Sequence, residues 1–197
     1  MSKMRICLSN QAFPPEKVII SKKSHFFCAN CCLSLINCLF LHDLLQIAIT
    51  KSQHIMKIIS DSIKYVGVDD PEMDLFESQY HTPDGMCYNS YVILDEKVAI
   101  MDTVDIRKTD EWMDNVKAVL GNRTPDYVVV QHLEPDHSGS LAVLLKAYPD
   151  TTVVASHKAI QFIGQFFEGM EFKSMAVCEG DSLSLGKHNL TFVTAPM

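Results

Sequence analysis

Hydrophobic and polar positions along the chain fall into two regimes that meet near Met56. Beyond it, short β-branched and aromatic runs alternate with turn residues. Residues 63–68 read as a first strand, ended by the acidic turn Asp69-Asp70-Pro71, and residues 75–80 as a second. Thr82-Pro83-Asp84-Gly85 is a turn by residue type. Residues 88–94, the turn Asp95-Glu96-Lys97 and residues 98–101 predict a hairpin. Trp112, Met113, Val116, Val119 and Leu120 recur at helical spacing, with Thr109 as cap and Gly121 as stop, so Trp112 belongs to a core face. Tyr127, Val128, Val129 and Val130 form an unbroken apolar run, the mark of a strand buried on both faces. A helix over 141–147 stops before Pro149. A strand over 151–155 follows, then a helix capped by Ser156 and running to Phe167, then a strand over 172–177. The turns Glu179-Gly180-Asp181 and Gly186-Lys187-His188 frame two last strands, 182–185 and 190–194. The order is β strands first, then alternating β and α, then a β meander: an α/β (α+β) chain.

Residues 1–55 read differently. They hold six basic and two acidic residues, a net of +4, whereas the remainder holds 11 basic and 22 acidic residues, a net of -11. Five of the seven cysteines lie in the first part: Cys7, Cys28, Cys31, Cys32 and Cys38. Residues 26–49 are apolar enough to raise a membrane span, but Asn30, Asn37, His42 and Asp43 interrupt them, and a secretory signal would lie nearer the terminus. Cys28, Cys31 and Cys32 lack a second Cys or His pair at zinc-finger spacing. The expectation is therefore an N-terminal extension, 1–55, outside the fold, with Met56 as the natural start and a folded domain over 56–197.

Composition then narrows the function. With 47% hydrophobic and 21% charged residues the chain is globular, and its formal charge of -7 argues against a nucleic-acid partner. It has neither a Gly-rich phosphate loop nor a Gly-x-Ser-x-Gly elbow.

The candidate chemistry sits where the buried strand ends. His132, Glu134, Asp136 and His137 bring two imidazoles and two carboxylates together within six residues, with Pro135 barring a helix through their middle. Packed this closely, they call for a cation among them. In extended backbone His132 and Glu134 point the same way, while Asp136 and His137 follow a bend and can face a second ion. The bland alternative is a cap, a solvated carboxylate and two surface histidines. Asp102, at the end of the second hairpin strand, either braces this loop or caps a turn. His81 is a candidate for contact behind the ligands, and His157 and His188 read as exposed.

The strand, loop and helix over 126–145 resemble the signature of the metallo-β-lactamase fold, in which hydrolases carry His-x-His-x-Asp-His. Here the run is His-Leu-Glu-Pro-Asp-His, the variant typical of flavodiiron proteins. The resemblance extends through Tyr88-Asn89-Ser90-Tyr91, Met101-Asp102-Thr103, Ser184-Leu185-Gly186-Lys187 and Thr194-Ala195-Pro196-Met197, and covers nearly all of 56–197 and none of 1–55. Exchanging a neutral imidazole for anionic Glu134 makes the site harder and more negative, which suits ferric iron better than hydrolytic zinc.

The resemblance implies a metallo-β-lactamase-like αββα sandwich and two non-haem iron ions, with His132 and Glu134 on one, Asp136 and His137 on the other, and no further catalytic side chain. It also implies reduction of O2 to water or NO to N2O, FMN in a following flavodoxin-like domain, a rubredoxin-like or flavin electron donor, a head-to-tail homodimer, a cytoplasmic location, and neither nucleic-acid nor membrane partners. Because the flavin domain and three further ligands of the family are absent, the chain is expected to be the N-terminal half of the sandwich. It would then be an inactive fragment with an apolar sheet face left uncovered. Other readings are a zinc hydrolase on the same fold and a non-catalytic metal-binding module.

Overall fold

The computed structural model describes residues 59–195 in full, and residues 3–10 and 18–19 as backbone strands. The expectations for 26–49 and for Cys28, Cys31 and Cys32 lie outside these residues. In chain order the strands are β1 (Lys3–Asn10), β2 (Val18–Ile19), β3 (Ile63–Tyr65), β4 (Val68–Asp70), β5 (Leu75–Phe76), β6 (Tyr80–His81), β7 (Met86–Tyr88), β8 (Tyr91–Leu94), β9 (Val98–Met101), β10 (Tyr127–Val129), β11 (Thr152–Ser156), β12 (Lys173–Val177), β13 (Ser182–Ser184) and β14 (His188–Ala195). Helices are α1 (Thr109–Leu120), α2 (Pro135–Ser138), α3 (Leu141–Ala147) and α4 (His157–Phe166), and a 3-10 turn spans Ile106–Lys108.

Six strands form a mixed sheet in the order β12-β11-β10-β9-β8-β3. Strands β9 to β12 are parallel, and β8 pairs antiparallel with both β9 and β3. Period-two alternation sorts its side chains onto two faces. Val98, Ile100, Val128, Val130, Val153 and Ala155 face one core, shared with Trp112, Val116, Leu141 and Leu144 of the helices. Ala99, Met101, Tyr127, Val129 and Val154 face a second core, shared with Leu185, Leu190 and Phe192. The layers are therefore helix, sheet, sheet, three of the four layers of an αββα sandwich.

The second sheet, in the order β13-β14-β1-β2, corrects the expectation of an uncovered inner face. Leu185, Leu190 and Phe192 of the meander are wholly buried against the first sheet. From the stretch read as an extension, β1 runs antiparallel to β14 in register from Lys3↔Ala195 to Asn10↔His188.

Several single predicted strands are two. Residues 63–68 break at Gly67, where a Cβ would stand 2.3 Å from the Tyr88 carbonyl oxygen. Residues 75–80 are a tight hairpin turned by Glu77 and Ser78, both at positive φ. Gly121, at φ 58, ends α1 as predicted, and the Ser156 hydroxyl accepts from Ala159 N–H to cap α4. Thr109 does not cap α1; its hydroxyl donates to the Ile106 carbonyl at 2.7 Å.

Candidate metal centre

Strand β10 ends inside both cores, and the chain leaves it as the loop Gln131–Glu134. Pro135 then opens α2 instead of barring a helix, because the first helical position needs no N–H donor. Asp136 and His137 consequently lie on one helical turn rather than on a bend. Gly139 lets this turn lie close: a Cβ there would meet the Pro135 carbonyl oxygen at 2.7 Å and Ile106 N at 2.8 Å.

The four predicted residues are brought together in two pairs. His132 Nε2 lies 2.6 Å from Glu134 Oε1, and His137 Nε2 lies 3.2 Å from Asp136 Oδ2. The two imidazole rings are 5.7 Å apart between centroids. His132, Asp136 and His137 are buried and Glu134 is half-buried, so the solvated alternative does not describe them. Among the described residues no three His, Cys, Asp or Glu side chains converge as one metal-holding group.

Asp102 braces the loop. Its Oδ2 is 2.9 Å from His137 Nδ1, while its Oδ1 accepts Gln131 N–H at 2.7 Å and its Oδ2 accepts the Gln131 amide at 3.2 Å. A φ of 57° turns this carboxylate from the end of β9 toward the loop. The strained position is held on both sides. Asp102 N–H donates to the Val129 carbonyl, and its own carbonyl accepts the Ser90 hydroxyl at 2.9 Å. Ser90 in turn accepts the Trp112 indole N–H at 3.0 Å, which ties this core tryptophan to the loop's brace. Thr103 fixes the other end of the site, since both its N–H and its hydroxyl donate to the His137 carbonyl, at 2.8 and 2.9 Å.

Burial opposes charge on His137, but the Asp102 and Asp136 carboxylates outweigh it, and its pKa is pushed up to about 9. Asp105 lies close enough to Asp136 to repel it. Although burial works the other way, hydrogen bonds from Arg107 hold Asp105 below the usual carboxylate range. Arg107 also donates to the Tyr88 hydroxyl, which donates to Asp70.

The site passes one test for a metal. His137 Nε2 is buried and faces Asp136 Oδ2 at 3.2 Å, while Nδ1 of the same ring is pinned by the Asp102 carboxylate. Pinning one nitrogen and leaving the other beside an anionic oxygen is how a protein presents an imidazole to an ion.

Not every histidine behaves as predicted. His157 is exposed as expected, and His81 is exposed on β6. His188 is buried, its ring bonded to Asp95. The sequence assigns Gln131 no role, and Thr103 and Ser90 enter only as members of the segments that carry the resemblance, without a role; their contacts to Asp102 and His137 come from the fold.

A helix layer over two sheets, with an acidic His-x-Glu-x-Asp-His loop at a strand end, defines a metallo-β-lactamase-like domain. The chain belongs to the family described as ODP family beta lactamase, which it matches over residues 86–197. It is 35% identical over 141 residues to the anaerobic nitric oxide reductase flavorubredoxin of Pectobacterium carotovorum, covering 71% of this chain and 28% of that protein. It is 37% identical over 139 residues to a flavo-diiron protein of Clostridium acetobutylicum, covering 70% and 35%. It superposes on the rubredoxin oxygen:oxidoreductase of Desulfovibrio gigas with a TM-score of 0.67 and 31% identity, covering 70% of this chain and 34% of that one. The flavodiiron resemblance of the loop thus extends to the chain's relatives and to the fold, and the chain spans about a third of the relatives' length. Among the described residues no helix is long and apolar enough to cross a membrane.

Proposed function

We propose that residues 56–197 form the metal-binding body of a flavodiiron oxidoreductase, with His132 and Glu134 holding one iron and Asp136 and His137 the other. The observation that carries this reading is the His137 ring, pinned at Nδ1 by Asp102 with a buried Nε2 beside Asp136. When bound, the iron pair supplies the reduction of O2 to water or of NO to N2O, with electrons arriving through FMN from a rubredoxin-like or flavin donor.

The chain's own residues prepare that chemistry. Asp102 keeps the His137 Nδ1 proton in place, so Nε2 is the nitrogen offered to metal. Glu134 adds a second negative oxygen donor to the loop and favours the harder ferric ion. The flanking apolar layers, including wholly buried Val104 and Leu141, hold bulk water away from the ligand turn. Four side chains are too few to fill two iron coordination spheres. The 197-residue chain alone is therefore expected to bind iron without sustaining gas consumption. Pairing of subunits head to tail, which brings one subunit's flavin to the other's irons, and a cytoplasmic location complete the reading taken from the family.

Anaerobic reconstitution with ferrous iron and with zinc, followed by metal analysis, tests this. Iron retained by the wild-type chain and lost on His132→Ala supports the assignment. Preferential zinc binding, with ester or thioester hydrolysis that depends on the bound zinc and is abolished by a chelator, and no retained iron would overturn it in favour of a hydrolase.

A further inference from the structure

A second cluster of reactive side chains lies at the other end of the first sheet. Strand β9 separates the two: its four residues, about 13 Å of chain at ~3.3 Å each, run from the β8–β9 turn to Asp102. At that far end Asp95, His188 and Ser62 meet from three separate elements. Asp95 Oδ2 is 2.6 Å from His188 Nδ1, and His188 Nε2 is 3.1 Å from Ser62 Oγ.

We propose that Ser62 is a nucleophile for acyl transfer from activated esters, with His188 as its general base and Asp95 as the residue that orients His188. The argument begins with the carboxylate. Asp95 Oδ2 also accepts the His188 backbone N–H at 2.7 Å, and its Oδ1 accepts Glu96 N–H at 2.7 Å. Its side chain is only 2% exposed. A carboxylate so bound stays ionised and fixes the imidazole tautomer with the proton on Nδ1. Nε2 is then an acceptor, and the Ser62 hydroxyl donates to it. Carboxylate to imidazole to hydroxyl is the order of contacts that activates a serine, recognised by geometry and not by chain position.

Burial fits the roles. His188 and the Asp95 side chain are buried, whereas Ser62 is half-buried, which leaves the reacting oxygen within reach of a substrate. Gly186, at φ 125, lets the β13–β14 turn close over Asp95: a Cβ there would stand 2.7 Å from Asp95 Oδ1. The Ser60 hydroxyl, 3.3 Å from Ser62 Oγ, is a neighbouring donor. In the reaction a bond forms from Ser62 Oγ to the acyl carbon and the bond from that carbon to the leaving oxygen breaks. The serine proton passes to His188 Nε2 and from there to the leaving alkoxide. Water, deprotonated by the same nitrogen, then releases the acid.

A fluorophosphonate probe tests the assignment on the whole chain. Here the bond from Ser62 Oγ to phosphorus replaces the bond from phosphorus to fluorine, and the proton leaves with fluoride. The adduct is located by tandem mass spectrometry on the tryptic peptide 58–64, which contains both Ser60 and Ser62. The expected result is labelling of Ser62 about 100-fold faster in the folded chain than in urea, the size of a general-base effect. That labelling should be retained in Ser60→Ala and lost in Ser62→Ala and His188→Gln. The inference is overturned if the folded chain carries no adduct at Ser62, if labelling in urea is equally fast, or if His188→Gln labels at the wild-type rate while keeping the wild-type circular dichroism spectrum. Metal binding at the loop is independent of every one of these outcomes.

Discussion

Asp102 and His137, 35 residues apart in sequence, are joined by a 2.9 Å contact between Oδ2 and Nδ1 that fixes the ligand turn to the end of β9. The relationship assigns each imidazole nitrogen a different task, one facing the protein and one facing the candidate ion. It also explains why a buried residue at φ 57 is an aspartate. Asp and Asn tolerate this backbone region better than other side chains, and only Asp adds the charge.

Asp102→Asn separates those two properties. The turn survives, because Asn accepts the same φ, but the anion that orients His137 is lost. Iron affinity of the reconstituted chain is expected to fall about 10- to 100-fold with the circular dichroism spectrum unchanged. Unchanged affinity in a metal titration would show that Asp102 serves the turn alone.

Glu134→His restores the His-x-His spacing of the hydrolases and removes one negative charge from the His132 pair. The ratio of iron to zinc retained after competitive reconstitution should shift toward zinc by at least about tenfold, a difference of ~1.4 kcal/mol. A ratio equal to wild type, measured by elemental analysis, would mean that the loop's hardness does not set metal choice.

Unbroken apolar runs revealed the buried parallel strands and helical spacing revealed α1, because each of those elements carries its signal within a dozen residues. The four loop residues were legible for the same reason. What escaped were features made by distant partners. His188 read as an exposed turn residue because nothing near it in sequence calls for burial; Asp95, 93 positions earlier, supplies its partner. Gly67 splits one predicted strand through the approach of Tyr88, and Pro135 allows a helix through its exact position at the first turn. Residues 3–10 gave no clue that their register partner was β14, since pairing is a property of both strands.

Gly139→Ala tests the fit of α2 against the 3-10 turn. The glycine has ordinary helical φ, so the cost is steric: the new methyl would press on two backbone atoms, the Pro135 carbonyl oxygen and Ile106 N, neither of which can rotate away. A loss of about 1–3 kcal/mol in urea unfolding is expected, together with weaker metal retention as α2 shifts. A loss below about 0.5 kcal/mol, the range of ordinary surface substitutions, would show that the turn has room.

Ser90→Ala removes the hydroxyl that donates to the Asp102 carbonyl and accepts from Trp112. Both partners are buried, so each is left without its hydrogen bond at a combined cost of about 2–4 kcal/mol. The measurement that checks this is urea unfolding followed by Trp112 fluorescence, the only tryptophan in the chain. A midpoint equal to wild type would mean that the two groups find other partners.

Acid unfolding should carry the signature of Asp95. Burial raises its pKa, but hydrogen bonds from His188, Lys187 and Glu96 outweigh that effect and leave it at about 2, below the ordinary 3.8. A carboxyl depressed in the folded state binds its proton more readily when unfolded. Its contribution is therefore fully present above pH ~4 and is lost as pH falls toward ~2, up to about 2 kcal/mol in all. In Asp95→Asn this component is absent. The variant should be less stable than wild type at pH 7, and the gap should narrow through that acid window, as read from urea midpoints at each pH. A gap that stays constant from pH 7 to pH 2 would show that the Asp95 charge contributes nothing to holding β8, β9 and β14 together.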